Sequence, residues 1–171
     1  MTTACHTLVG TRLGDLTLVA EEDALTGVYF PQHRYPPAPD SIGDRVDAST
    51  RPVLARAAHQ LIEYLDGDRR DVDLALAPSG DDFSRTVWAL LREIPYGNTT
   101  TYGWIARELG NPHLAQRVGQ AVGHNPLSIV IPCHRVVGAD GSLTGYAGGL
   151  HRKRLLLDLE EPDAASGARL F

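Results

Sequence analysis

The chain has 171 residues, of which 43% are hydrophobic, and its formal net charge is −5. This length is enough for one compact domain or two small lobes, and the apolar content excludes a mainly disordered chain. No apolar run is long enough to span a membrane, and the first residues lack the charged start of a signal peptide, so we expect a cytoplasmic protein without membrane contact. Two cysteines are too few for a disulfide scaffold or a four-cysteine zinc site.

The first lobe, residues 1–78, is predicted to hold a small antiparallel sheet with one flanking helix. Apolar and polar residues alternate over 16–20, and a second strand-like run covers 25–30. After a proline-rich loop, apolar residues recur at helical spacing between Pro52 and Gly67, and a further strand is predicted over 72–76. Because no catalytic grouping occurs here, we expect this lobe to act as a scaffold.

The second lobe, residues 79–161, is predicted to be mainly helical. Two short helices, 102–109 and 111–123, are joined by a tight turn, which is typical either of a helix-turn-helix or of an ordinary helical hairpin. A last helix is expected over 149–160. Residues 162–171 are rich in small side chains and are predicted to be a frayed tail.

The distribution of charge leaves room for a nucleic-acid partner despite the acidic total. Residues 1–80 hold 7 basic and 12 acidic side chains, whereas residues 92–157 hold 7 basic and 3 acidic ones. A modest basic surface on the second lobe can contact phosphates, although solvated basic faces are common in proteins that bind no nucleic acid.

The most distinctive segment surrounds Cys133. A run predicted to be a buried strand, residues 128–131, is followed by Pro132, which should end the strand and place Cys133 on a turn beside His134 and Arg135. Cationic or hydrogen-bonding neighbours lower the pKa of a thiol and make it a better nucleophile. A lone cysteine is more often a small buried hydrophobe, but these neighbours favour the nucleophile.

The segments of the second lobe together resemble the O6-alkylguanine-DNA alkyltransferases, also called methylated-DNA–protein-cysteine methyltransferases. The resemblance is strong over about residues 83–160 and only general in the first lobe. The matching segments, in the family's order, are Ile94-Pro-Tyr-Gly-Asn-Thr-Thr-Thr-Tyr102-Gly, Asn125-Pro126, Ile131-Pro-Cys-His-Arg-Val136, Gly145-Tyr-Ala-Gly-Gly149 and Lys153 to Glu160.

The resemblance implies a catalytic role for five positions. Cys133 would accept the alkyl group, and His134 would act through a water molecule as the base that yields the thiolate. Glu160 would orient the histidine, a pairing that helical spacing alone only weakly suggests. Asn125 would brace the turn that carries the cysteine, and Tyr102 would donate toward guanine N3.

The resemblance also implies two binding surfaces. Backbone carbonyls at Cys133 and Val136 would accept from the guanine amino group, and the loop of Tyr146, Ala147 and Gly148 would close over the base. DNA contacts are expected from Thr101, Gln116, Arg117, Gly119, Ala121, Arg135 and Lys153.

The implied substrate is double-stranded DNA containing O6-alkylguanine, and the implied range includes O4-alkylthymine. The damaged nucleotide must leave the duplex before its oxygen can be reached. Transfer to sulfur gives a stable thioether, so each molecule should act once. We expect a monomer that needs no cofactor and no metal ion, since the zinc ligands of some relatives are missing here apart from Cys5.

One position departs from the family's pattern. The family usually carries an arginine in the second helix of the pair to fill the gap left by the flipped base, whereas this chain has Gln116 there and Arg117 one residue later. A step of one residue turns a side chain by roughly 100° around a helix. Either Gln116 pairs with the orphaned base, or a small shift of the helix lets Arg117 enter the gap.

Three other function classes make different predictions. A sensor that binds alkylated DNA without reacting would lack the acceptor cysteine, which this chain keeps with His134 and Glu160. A transcription regulator would recognise undamaged DNA and leave Cys133 unmodified. A cysteine hydrolase would turn over many substrate molecules, whereas the alkyltransferase reacts once.

Overall fold

The computed structural model describes residues 3–161, so the predicted tail lies outside the described residues. The strands are β1 (Ala4–Thr11), β2 (Gly14–Glu21), β3 (Ala24–Tyr29), β4 (Asp44–Arg45), β5 (Thr100–Thr101) and β6 (Val136–Val137). The helices are α1 (Pro52–Leu65), α2 (Asp82–Leu91), α3 (Tyr102–Glu108), α4 (Ala115–Gly123) and α5 (Leu150–Glu160).

The first lobe contains one sheet with the strand order β3-β2-β1-β4. The pairs β1–β2 and β2–β3 are antiparallel, while the short β4 runs parallel to β1, so the sheet is mixed. The predicted fold class, a small sheet with a flanking helix followed by a mainly helical lobe, is confirmed. The sequence predicts no strand before residue 16, whereas residues Ala4–Thr11 form β1, and Cys5 is buried inside this strand.

The prediction of a strand over residues 72–76 is wrong. Only Leu76 makes a bridge, to Leu25, while the backbone of Asp73 is occupied by the side chain of Gln60. The Gln60 amide donates to the carbonyl of Asp73 and accepts from its N–H, at 3.2 and 2.8 Å. Because these groups are already satisfied, they cannot join a ladder with the sheet.

Helix α1 covers the sheet with an apolar face that includes Val53, Leu54, Ala57 and Leu61. Pro52 occupies its first turn, where the missing N–H costs nothing, and Gly67, at φ +85°, turns the chain after the helix.

The second lobe is built from short capped helices. Asp81 caps α2 by accepting from the Ser84 N–H, and Thr101 caps α3 by accepting from the Trp104 N–H. Helix α4 begins later than predicted, because residues 112–114 form a 3-10 turn capped by Asn111. One apolar core runs through both lobes. Within residues 3–161, no helix has both the length and the apolar character needed to cross a bilayer.

The prediction of a strand over residues 128–131 is also wrong. The segment closes on itself in turns, since the N–H of Val130 donates to Ser128 O at 2.8 Å and that of Ile131 donates to Leu127 O at 2.9 Å. Ile129 adopts φ +73°, a conformation incompatible with a strand. The run is apolar because it is mostly buried, and while the Ser128 N–H donates to Val28 O at 3.3 Å, those of Val130 and Ile131 bond within the turn.

Candidate active site

The turn after Pro132 carries Cys133 at the start of a single 3-10 turn, Cys133–Arg135. The N–H of Cys133 donates to Ile131 O at 2.7 Å, and the carbonyl of Cys133 accepts from the Val136 N–H. The cysteine is 5% exposed. The backbone therefore fixes the thiol in a mostly dry position at the end of the turn.

Asn125 ties this turn to the preceding loop. Its side-chain amide donates to Ile131 O at 2.8 Å, and its amide oxygen accepts from the Leu127 N–H at 2.9 Å. The side chain is buried, so these bonds are not exchanged with water. Asn125 lies where a brace for the turn of Cys133 is needed.

His134 and Glu160 form a buried pair. Nε2 of His134 lies 2.7 Å from Oε2 of Glu160, and the histidine is fully buried. Since an ionised carboxylate can only accept, Nε2 carries the proton and Nδ1 presents a lone pair. Nδ1 has no hydrogen-bond partner among the described residues. Burial, followed by the charges of Arg135 and Lys153, keeps the pKa of His134 well below its usual value, so the ring is neutral.

Arg135 does not reach the DNA-facing surface as expected, and this assignment is corrected. Its Nε donates to Glu160 Oε1 at 2.7 Å, its Nη2 to Oε2 at 3.0 Å, and its Nη1 to Ile94 O at 2.6 Å. The side chain is buried because it is the counter-charge of Glu160. Burial raises the pKa of Glu160, and a backbone hydrogen bond from Gly97 opposes this rise. The two hydrogen bonds from the Arg135 guanidinium also stabilise the carboxylate.

Lys153 is likewise internal, which corrects its assignment to DNA contact. Nζ donates to Val136 O at 2.7 Å and to Thr144 O at 2.9 Å, and the residue is fully buried. Burial lowers its pKa to about 8. Its electrostatic interaction with Cys133 favours the thiolate. The lysine therefore supports the turn that carries Cys133, called the reactive turn below. It also takes up one of the two acceptor positions of the Val136 carbonyl oxygen.

The thiol itself is not ionised in the resting protein. Burial raises the pKa of Cys133 to about 11, although the Asn125 side chain and the charge of Lys153 act in the opposite direction. The expectation that the neighbours of Cys133 give it a lowered pKa is therefore wrong, because burial outweighs the groups that lower it, while His134 is neutral and Arg135 pairs with Glu160. A base must remove the proton before this thiol can act as a nucleophile.

A cleft of about 390 Å³ lies between the first lobe and the helices of the second lobe. Its wall residues come from the loop after β3, from α3 and α4, and from the loop before α5: Arg34, Tyr35, Tyr102, Gln116, Gly119, Gln120, Val122, Gly123, Gly145, Tyr146 and Ala147. Tyr102 is half-buried, and its hydroxyl lies 2.8 Å from Thr144 Oγ1. Burial raises the pKa of both Tyr102 and Tyr146, and an electrostatic interaction with Cys133 adds to the rise, so the thiol lies near these two residues of the cleft.

The loop that contains Tyr146, Ala147 and Gly148 is fastened to the first lobe. The N–H of Arg34 donates to Ala147 O at 2.8 Å, and Arg152 donates to Gly148 O at 3.0 Å and to Leu13 O at 2.8 Å. A Cβ on Gly148 would lie 2.4 Å from the Phe30 ring, so only glycine fits this approach.

Gln116 and Arg117, the two candidate side chains on α4, have different surroundings. Gln116 is exposed and lines the cleft, while the guanidinium of Arg117 lies over the Phe83 ring at 3.9 Å, toward α2. Ala121 was expected at the DNA surface but is buried, and its carbonyl accepts from the Trp88 indole at 2.8 Å. Gly119 packs beside the Tyr102 ring, and Thr101 uses its hydroxyl to cap α3.

Sequence reasoning missed the contributions of the first lobe. Tyr64 contacts Glu160 and Arg135, and Arg34 and Tyr35 line the cleft. Tyr64 lies on the apolar face of α1 and is indistinguishable there from a core residue. Within residues 3–161, no cluster of three or more His, Cys, Asp or Glu side chains is suited to a metal ion.

Two family models match nearly the whole chain. Residues 5–78 match the 6-O-methylguanine DNA methyltransferase, ribonuclease-like domain, and residues 82–162 match the 6-O-methylguanine DNA methyltransferase, DNA binding domain. A methylated-DNA–protein-cysteine methyltransferase of Mycolicibacterium paratuberculosis is 42% identical over 164 residues, covering 95% of this chain and 96% of the relative.

Solved structures give the same result. The crystal structure of Mycobacterium tuberculosis OGT in complex with DNA is 40% identical, has a TM-score of 0.84, and covers 91% of this chain and 92% of that one. A crystal structure of Mycobacterium tuberculosis O6-methylguanine methyltransferase is 37% identical, with a TM-score of 0.81, and covers 97% of this chain and 99% of that one.

Proposed function

This chain belongs to the 6-O-methylguanine DNA methyltransferase family, and we propose that it repairs DNA by moving the alkyl group of O6-alkylguanine irreversibly onto Cys133. The substrate is double-stranded DNA from which the damaged nucleotide has been flipped into the cleft. O4-alkylthymine, which also carries an alkyl–oxygen bond beside a ring nitrogen, belongs to the same substrate class.

One observation carries the proposal. Cys133 lies on a rigid buried turn directly before His134, whose Nε2 is held by Glu160 while Nδ1 is left to accept a proton. The Cys133 thiol gives its proton to Nδ1 through one water molecule, and the resulting imidazolium is stabilised by the adjacent carboxylate. This arrangement suits a thiol that is ionised only when the substrate is present.

The transfer step is a displacement at the alkyl carbon. Sγ of Cys133 forms the new carbon–sulfur bond, and the bond between that carbon and guanine O6 breaks with its electron pair on the base. Tyr102 donates toward N3 so that guanine leaves as a neutral species. The loop of Tyr146, Ala147 and Gly148 covers the base, with a main-chain N–H toward O6. The thioether has no easy leaving path, so each molecule reacts once.

Duplex DNA is held by α3 and α4 acting as a helix-turn-helix. Helix α4 presents Gln116, Gly119 and Gly123 to the cleft, and we assign Gln116 to the gap left by the flipped base. Thr101 stands at the start of α3, where its main chain can meet a phosphate. The guanidinium of Arg117 stacks on the Phe83 ring and supports α4 on the side that faces α2.

The protein is proposed to work in the cytoplasm. Both cysteines are free thiols, and Cys133 must stay reduced to react, which a reducing compartment ensures.

Mass spectrometry tests the function. Intact protein and its peptides are analysed after mixing with duplex DNA that contains a single O6-methylguanine, using Cys133→Ala and Cys5→Ala as paired variants. We expect one methyl group on the Cys133 peptide, saturating at one per molecule, in the wild type and in Cys5→Ala. Selective retention of the damaged duplex without an adduct would indicate a sensor instead.

A further inference from the structure

Tyr64 is the point at which the first lobe enters the active site. It lies on α1 and is 2% exposed. Its phenol donates to Glu160 Oε2, and its oxygen accepts from Nη2 of Arg135 at 3.1 Å. The phenol is therefore held from one side by the guanidinium and aimed at the carboxylate from the other.

The same carboxylate oxygen serves His134. Oε2 of Glu160 accepts from Nε2 of His134 at 2.7 Å, from Arg135 at 3.0 Å and from Tyr64. Each donor stabilises the ionised form of a buried carboxyl and lowers its pKa. Because His134 needs the ionised form to become an imidazolium, any donor to this oxygen affects proton removal from Cys133.

The remaining charged and titratable groups near Glu160 differ in how they face it. Lys153 and Arg154 lie on the same helix. Lys153 is turned inward to two carbonyls, whereas Arg154 and Glu161 line an outer cleft to which Glu160 also contributes. Tyr96 approaches from the turn after α2, and its hydroxyl donates to Leu159 O at 3.2 Å. In the described part of the chain, the uncharged side-chain donors to this carboxylate are thus the Tyr64 phenol and the neutral His134 ring.

We propose that Tyr64 is a positioning residue for alkyl transfer, whose hydroxyl holds Glu160 ionised and aligned with His134. The inference rests on the proposed function. It gives the first lobe a direct part in proton removal, in addition to its scaffold role.

Tyr64→Phe tests the proposal, with Tyr96→Phe as the matched control. The two rings contact each other edge to face, with centroids 5.8 Å apart, and each variant loses one hydroxyl near the end of α5. The rate of a single round of methyl transfer from duplex DNA is measured as a function of pH, and folding is checked by thermal melting. We expect the acidic limb to move upward by about one pH unit in Tyr64→Phe, since one donor to a carboxylate is lost.

The direction follows from the protonation of Glu160. Without the Tyr64 hydroxyl its pKa rises, so the carboxylate is lost at a higher pH and the transfer rate falls there first. At high pH, where Glu160 is ionised in both proteins, the rates should converge. Tyr96→Phe should leave the position of the limb unchanged, because its lost bond was to a backbone carbonyl.

A second variant keeps the test decisive if Tyr64→Phe folds poorly. Replacing Tyr64 by 3-fluorotyrosine retains the hydroxyl and makes it a stronger donor, so the acidic limb should move downward. Opposite shifts from the two variants cannot arise from a packing defect. An unshifted limb in both, or the same shift in Tyr96→Phe, would overturn the proposal. Absence of methyl transfer in the wild type would instead overturn the proposed function.

Discussion

Replacing Arg135 by methionine removes the counter-charge of a buried carboxylate. Glu160 is 2% exposed, and Arg135 supplies two charge-assisted hydrogen bonds to it, at 2.7 and 3.0 Å. Removing one partner of a buried ion pair costs about 3–5 kcal/mol, because the other charge is left unpaired. Burial lowers the pKa of Arg135 only to about 10, so the guanidinium is charged at neutral pH, and its two hydrogen bonds favour the ionised form of Glu160. We therefore expect Arg135→Met to lose that much stability.

Equilibrium urea unfolding at neutral pH measures the loss. Arg85→Met is the control, since Arg85 is exposed and donates to a surface carbonyl, and it should change the free energy of unfolding by no more than about 0.5 kcal/mol. Adding Glu160→Gln to Arg135→Met should restore at least about 1 kcal/mol relative to the sum of the single effects.

The deficit should also depend on pH. Without Arg135, the pKa of Glu160 in the folded protein rises further above its unfolded value, so the folded state binds the proton more tightly. The deficit should therefore shrink as the pH falls from neutral toward the unfolded pKa of a glutamate. If Arg135→Met weakened DNA binding while unfolding like the Arg85 control, the residue would belong to the DNA surface and our correction would be refuted.

Two further predictions concern the cleft and the thiol. Gln116→Ala should slow transfer from duplex DNA by about tenfold through the loss of one hydrogen bond, whereas Arg117→Ala should have little effect; equal losses in single-turnover assays would show that Arg117 also enters the gap. In a Cys5→Ala background, alkylation of Cys133 by iodoacetamide should be slow near neutral pH and should rise toward pH 11, because burial raises its pKa to about 11. A rate that is already maximal at neutral pH would mean that the resting thiol is ionised.

The sequence predicted best what depends on local patterns. The alternation in β2, the strand-like run of β3 and the helical spacing in α1 are all read from neighbouring residues, and the structure has these elements. The strand predicted from the apolar run over residues 128–131 is wrong, because a buried turn and a buried strand can have the same composition.

The site could be predicted only where side chains lie close in sequence or in the family's motif. Cys133 and His134 are adjacent, and the motif supplied Glu160. The inward orientation of Arg135 and Lys153 depends on carbonyls and carboxylates brought together by the fold, which no spacing reveals. Tyr64 lies 96 residues from Glu160 along the chain, so its contact is invisible in sequence.

Because the loop of Tyr146, Ala147 and Gly148 is fastened from outside the cleft, the size of the alkyl group that the cleft accepts can change through residues that do not contact it. The carbonyl of Ala147 accepts a hydrogen bond from Arg34 and that of Gly148 accepts one from Arg152, and Gly148 packs against the Phe30 ring. This loop is the ceiling of the cleft, and it is held in place by the Arg34 backbone and the Phe30 ring of the first lobe and by the Arg152 side chain of α5. A smaller residue at Phe30 would let the ceiling retreat while the reactive turn stayed intact. Acceptance of bulkier alkyl groups can therefore be gained through substitutions that never touch the substrate.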